Sequence, residues 1–225
     1  MTEDICFDKF SRIKDSTIPI ETDLVFGIPL GTTQIPTEIC RHLQHCPSFN
    51  QDDGIAYEER PELYNVLQYN TKLKNAITEL FTLWIKNLTG DTTQKWVMTT
   101  NWVTENSNGR AMTFHAHTNC LYSAVLYFDE VDENHPPLEL LNPFNASLST
   151  GLTTDFKEAT LINAHRYRCP IHQGLMIMFP SFIVHGHPSF ESNKSRKSFA
   201  CNFFPVGRYG WGDSTLDTNW LQYDD

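Results

Sequence analysis

The chain predicts a mainly β fold with an N-terminal helical layer. From about residue 95 onward, short segments rich in β-branched and aromatic residues follow one another, separated by Gly, Pro, Asn and Asp. No helical period interrupts them. Before them lies one segment whose apolar residues keep a helical period throughout. An antiparallel β core supported by N-terminal helices satisfies both observations, the core being a sandwich, a jelly roll or a barrel. The 225 residues are expected to form one domain. Residues 1–92 are its helical support with an N-terminal strand, 93–204 the β core and 205–225 a tail.

In chain order, residues 24–31 (LVFGIPLG) read as a strand broken by glycines and a proline. Pro36 stands where a first helical turn would start, and Ile39, Cys40 and Leu43 give a short apolar stripe. The strongest helix is 71–88, where Leu73, Ala76, Ile77, Leu80, Phe81, Trp84, Ile85 and Leu88 keep the i, i+3, i+4 spacing. Asn70 or Thr71 can cap it, Lys86 sits in its last turn and Gly90 follows as a stop. This stripe is expected to lie on a sheet. The strands then read KWVMTTNWVT (95–104), RAMTFHAHTN (110–119), CLYSAVLYFDE (120–130), LELLN (138–142), ATLINA (159–164), GLMIMFP (174–180), FIVHGH (182–187) and KSFACNFFP (197–205). Residues 142–158 and 205–225 read as loops or edges.

Composition narrows the function classes. Apolar residues make up 40% and aromatics 12%, as in a globular chain. The formal net charge is −10, which weighs against sequence-independent nucleic-acid binding and against an anionic membrane as partner. No apolar stretch is long enough to span a bilayer, and MTEDICFDKF lacks the apolar region of a secretory signal. The six cysteines include no C-x-x-C pair. Reduced thiols in a cytoplasmic protein are expected.

The nine histidines carry the functional signal. His115-Ala116-His117 places two imidazoles two residues apart, hence on one face of a strand, where both can converge on one ion. Imidazole suits Zn, Fe, Cu and Ni. His185 and His187, after FPSFIV, again share a face. His135, His165 and His172 stand in loop-like contexts and are expected to be solvated. Arg196 and Ser198 are also two apart, a guanidinium fork beside a hydroxyl that together can hold a carboxylate. Each feature alone has an ordinary structural explanation. Their combination and order do not.

HAH (115–117), SAVLY (123–127), GLMIMFPSFIVH (174–185), RKSFACN (196–202) and FPVGRYGWGDS (204–214) together resemble the 2-oxoglutarate- and Fe(II)-dependent oxygenases. The resemblance is nearest to the group known from marine phage genomes and covers roughly residues 95–214. It implies a double-stranded β-helix, or jelly roll, with Fe(II) at one end. 2-Oxoglutarate and O₂ are implied as co-substrates, and succinate, CO₂ and an oxidised prime substrate as products. His115 and His185 would be ligands. His117 would be the third, at a position where most of the superfamily has a carboxylate. Arg196 would pair with the distal carboxylate of 2-oxoglutarate, with Ser198 and Tyr127 as further donors and Asn119 as a weaker contact. His187 is left as either ligand or neighbour. Hydroxylation is the implied outcome. The prime substrate is open among a peptidyl residue such as proline, a nucleobase and a small metabolite. A homodimer is common in such folds. For a phage-encoded chain the compartment would be the host cytoplasm.

Three other readings compete. A cupin-like metal protein shares the barrel, but residues 118–123 (TNCLYS) lack the Glu that cupins add after H-x-H. A zinc enzyme with three histidines would activate water and leaves Arg196 and Ser198 without a role. A non-enzymatic jelly-roll module, such as a phage structural protein, would retain no iron.

Overall fold

Alternation of side chains along the strands gives the large sheet two different faces, and each face covers a separate core. The computed structural model describes residues 27–50, 59–144 and 164–222, with two paired backbone segments, β1 (Arg12–Ile13) and β2 (Ile20–Glu21). The elements that follow are β3 (Gly31–Gln34), α1 (Thr37–Arg41), β4 (Ser48–Phe49), α2 (Thr71–Thr89) and β5 (Lys95–Asn106). Then come β6 (Met112–His115), β7 (Tyr122–Leu126), β8 (Leu138–Leu141), β9 (Arg166–Cys169) and β10 (Leu175–Pro180). The chain continues through β11 (His185–His187), β12 (Arg196–Val206), β13 (Arg208–Tyr209) and β14 (Leu216–Asp217). A six-stranded sheet runs in the order β3-β10-β7-β12-β5-β4 and a four-stranded sheet in the order β6-β11-β8-β9. The β4–β5 pair is parallel, and the other ladders of these two sheets are antiparallel.

The two sheets meet face to face. Trp102, Val125, Tyr127, Ile177, Phe179 and Ala200 from the large sheet pack against Met112, Leu138, Leu140 and Cys169 from the small one. On the outer face of the large sheet lies α2, which buries Leu73, Ile77, Phe81 and Ile85 against Met98, Val103, Leu126, Met178 and Phe203. Along β12, Phe199, Cys201 and Phe203 belong to this helix-side core, whereas Ala200 belongs to the inter-sheet core. On the neighbouring β5 the phase slips once. Asn202 pairs with Thr100 but Phe203 pairs with Met98, so Thr99 is skipped at a bulge.

The helix occupies the predicted place. Asn70 Oδ1 accepts the Leu73 N–H at 3.2 Å, and Gly90 closes the C-terminus at φ 71° with its N–H donating to the Lys86 carbonyl. The apolar stripe ends early, because Leu88 is 44% exposed. The N-terminal region supplies this helix, a five-residue helix and the two edge strands of the large sheet. Of the strand expected over 24–31, residues 24–26 lie outside the described residues and β3 starts only at Gly31. A Cβ at Gly31 would sit 2.6 Å from the Trp84 ring, so helix and strand approach closely only over glycine. Most of ATLINA and of the 142–158 loop lies outside the described residues. β9 is a strand the sequence conceals: Arg166, Tyr167 and Arg168 are all exposed, which leaves no apolar alternation. No described helix is long and apolar enough to cross a membrane.

Phe81 is fully buried and stacks on Phe203 with ring centroids 3.9 Å apart. Phe81→Ala is expected to lower stability by about 3–5 kcal/mol, read from the urea midpoint at unchanged slope.

Candidate metal centre

The short ladder between β6 and β11 puts His115 directly opposite His185. His117 lies two residues beyond the end of β6, where its backbone N–H donates to the Ser181 carbonyl at 3.0 Å. The strand geometry expected for H-x-H therefore holds for His115 alone, and the following turn carries His117 into place. One ring nitrogen from each of His115, His117 and His185 lies within 4.8 Å of the others. Gly186, next to His185, lets the strands close up: a Cβ there would be 2.8 Å from the Met112 carbonyl oxygen.

The hydrogen bonds behind the rings decide which nitrogens converge. His115 Nδ1 lies 2.7 Å from the Thr113 carbonyl oxygen and His185 Nδ1 lies 2.9 Å from that of Ile183. A carbonyl only accepts, so both Nδ1 atoms carry the proton and both Nε2 atoms hold lone pairs. His117 Nδ1 is 2.7 Å from Asn202 Oδ1, which sets the same tautomer. His115 Nε2 and His117 Nε2 then face each other at 3.2 Å. Two lone pairs at that distance repel unless a cation lies beside both. Burial holds His117 down to about 4 and His185 down to about 3, with neighbouring imidazoles adding to the effect. Both rings are neutral at physiological pH, as metal ligands must be.

The three histidines line one cavity with Trp102, Thr104, Met112, Tyr127, Arg196 and Ser198. Arg196 is 2% exposed, which is rare for an arginine without a carboxylate. Among the described residues no carboxylate pairs with it. Its Nη2 donates to the Tyr127 hydroxyl at 3.0 Å, and its buried Nε has no partner. Ser198 Oγ lies 2.9 Å from Thr104 Oγ1, the residue opposite it on β5. Burial pushes the Tyr127 phenol up, so it stays protonated and able to donate. An unpaired cation with hydroxyl donors around it is a receptor for an anionic group.

The structure thus brings together His115, His117, His185, Arg196, Ser198 and Tyr127. Asn119 is not among the lining residues. It is exposed and takes φ 59°, so its place in the structure is a turn, which Asn tolerates better than most residues. His187 is buried elsewhere, with Nε2 2.9 Å from Asn106 Nδ2 and Nδ1 2.8 Å from the Pro188 carbonyl oxygen. It does not join the cluster. His135, expected to be solvated, is buried and lies 3.0 Å from the Lys194 carbonyl oxygen. Asn202, Ser123 and Ser181 behind His117 were missed as site residues. For Asn202 a signal existed, since Arg196, Ser198, Ala200 and Asn202 alternate along one strand and share its inner face.

Residues 100–202 match the model of a family described as "Putative 2OG-Fe(II) oxygenase". The segment is somewhat under half the chain and holds all three histidines, Arg196 and Ser198. The matched family depends on Fe(II) and 2-oxoglutarate, and three imidazole donors fit that iron. No curated protein matches the sequence. Among solved structures the chain is similar to an oxidoreductase of the 2OG-Fe(II) oxygenase family from Burkholderia pseudomallei, with 9% identity, 54% of this chain and 50% of that chain covered, and a TM-score of 0.41. It is also similar to a Pseudomonas putida prolyl-4-hydroxylase, with 13% identity, coverage of 77% and 87%, and a TM-score of 0.46. A third is HygX from Streptomyces hygroscopicus with nickel and 2-oxoglutarate bound, with 9% identity, coverage of 81% and 84%, and a TM-score of 0.48. The chain spans half the length of the Burkholderia protein.

The lowered histidines have a consequence for stability. The unfolded chain takes up protons near pH 6.5, while the folded one resists until about pH 4 at His117 and about 3 at His185. Stability is therefore full above pH 6.5 and falls as the pH drops toward 4. His185→Gln removes one such group, so its stability deficit against wild type, both metal-free, should shrink between pH 7 and pH 4.5 in thermal melts. A constant deficit would contradict the assignment.

Proposed function

We propose that the chain is an Fe(II)- and 2-oxoglutarate-dependent dioxygenase that hydroxylates a prime substrate and releases succinate and CO₂. The observation that carries this is one cavity with three convergent neutral imidazoles and a buried arginine lacking a carboxylate. In this reading residues 1–225 form a single double-stranded β-helix domain with its helical support. A peptidyl residue such as proline is one candidate prime substrate. The likeness to marine-phage oxygenases belongs to the same reading, and so does a host cytoplasm, where free thiols such as Cys40 and Cys201 stay reduced.

His115, His117 and His185 would hold the metal through Nε2. When bound, Fe(II) supplies the redox chemistry that couples O₂ and 2-oxoglutarate to substrate oxidation. Arg196 would bind the distal carboxylate through its unpartnered Nε and its Nη atoms. Tyr127 accepts from Arg196 Nη2 and would turn its own proton toward the same carboxylate. Ser198 can do likewise when Thr104 donates to it. With three neutral ligands, the metal and Arg196 would carry three positive charges between them, and the dianion would offset two of these, one at each end. The space between the lining side chains is about 20 Å³, room for about one water. Entry of a five-carbon diacid therefore needs lining side chains to move, and Met112, flexible and unbranched, is the most adaptable of them.

A zinc site of three imidazoles fits the same donor set but leaves the Arg196 end without a ligand. The deciding experiment adds Fe(II) and 2-oxoglutarate anaerobically, reads the weak visible charge-transfer band, then admits O₂ and assays succinate. Arg196→Ala is expected to cost about 2–5 kcal/mol of 2-oxoglutarate binding, as for one partner removed from a buried charge pair. His117→Ala should lower both iron affinity and turnover. Absence of band and succinate, with Arg196→Ala indistinguishable from wild type, would remove the proposal.

A further inference from the structure

A site of three imidazoles has no anionic ligand, so what stands behind each ring, and with what charge, governs its affinity. His115 and His185 are backed by the main-chain carbonyls of Thr113 and Ile183, which no side-chain change can charge. His117 is backed by side chains. Its Nδ1 lies 2.7 Å from Asn202 Oδ1 and 2.9 Å from Ser123 Oγ. The Asn202 amide is held in turn. Its Nδ2 donates to Thr100 Oγ1 at 3.0 Å, and the Ser123 hydroxyl donates to its Oδ1 at 2.8 Å. Ser123 Oγ lies 2.8 Å from Ser181 Oγ, and the Ser181 carbonyl receives the His117 backbone N–H. Ser123 and Ser181 are both fully buried. Strands β5, β7 and β12 and the turn after β10 thus converge behind one imidazole.

We propose, on the metal reading above, that Asn202 is a positioning residue with two effects. Its Oδ1 keeps the proton on His117 Nδ1 and so keeps Nε2 a lone-pair donor. Being uncharged, it also leaves the metal's positive charge to be met by the co-substrate. A carboxylate behind a metal-bound imidazole orients the ring and raises its basicity. A carboxamide in that place orients the ring without adding charge. Iron binding alone then stays modest and strengthens when the dianion enters. Asn202 is in this way a determinant of the coupling between the two ligands.

The test is anaerobic Fe(II) titration of the full chain, with and without 2-oxoglutarate, for wild type, Asn202→Ala and Asn202→Asp. Long-range ¹H–¹⁵N NMR of the metal-free imidazoles reads the tautomer of His117 independently. Asn202→Ala should bind iron about 10–100-fold more weakly and show a mixed tautomer. Asn202→Asp, nearly the same shape, serves even where the alanine variant does not fold. It should keep the Nδ1–H form, bind Fe(II) alone more tightly than wild type and gain less from 2-oxoglutarate. Wild-type affinity and a single tautomer in Asn202→Ala would overturn the positioning role while leaving the metal site standing. An undiminished gain in Asn202→Asp would overturn the charge argument. Failure of the wild-type chain to take up iron would overturn the metal reading, and this inference with it.

Discussion

His115 and His185 face each other across one antiparallel ladder, and the rest of the candidate site is arranged around that pairing. The ladder is short, and its closeness depends on Gly186, beside which a side chain would meet the Met112 carbonyl. Once these two rings are fixed by nearby main-chain carbonyls, Thr113 within β6 and Ile183 just before β11, a third needs only to arrive from outside the sheet. His117 does so after β6 ends, tied to Ser181 in the turn that follows β10. The candidate site therefore spans the two sheets: two rings belong to the small sheet and the third is held by side chains of the large one.

The large sheet does two jobs because its strands have two faces. The face toward α2 is a dense aromatic and aliphatic core. The face toward the small sheet becomes polar toward the end where β12 starts, with Arg196, Ser198 and Thr104 in one neighbourhood. Burying a guanidinium there without a carboxylate is costly in isolation. Tyr127 relieves part of that cost through Nη2, while Nε stays without a partner. The proposed dianion would meet the remaining demand, which is a stronger reason to expect an anionic ligand than the cavity's shape.

Much of this was legible in the sequence. The α2 stripe, its caps and most strands follow from periodicity, because burial on one face imposes it. The histidines and the arginine stood out by order and spacing, their roles came only with the family resemblance, and the structure brings six of the seven expected site residues together. What failed did so for identifiable reasons. β9 carries exposed arginines and a tyrosine, so no alternation marked it. Asn119, expected as a weaker co-substrate contact, stands exposed in a turn that suits a residue tolerant of positive φ. His187 shares a spacing with His185, yet a register shift between them sends it to Asn106. His135 looked like a loop residue, and its burial depends on the distant Lys194 segment. Local pattern does not encode contacts of that kind.

The alternation along β12 has a further consequence. Asn202 and Phe203 are consecutive, one behind His117 and the other stacked under the helix at Phe81. Ordinary strand alternation lets this single peptide unit serve both sides of the sheet, while the extra residue, Thr99, is taken up by the neighbouring β5. Only one peptide bond separates the residue that stacks on the helix from the residue that holds the imidazole. Loosening of the hydrophobic layer and loosening of the histidine cluster should therefore occur as one cooperative event.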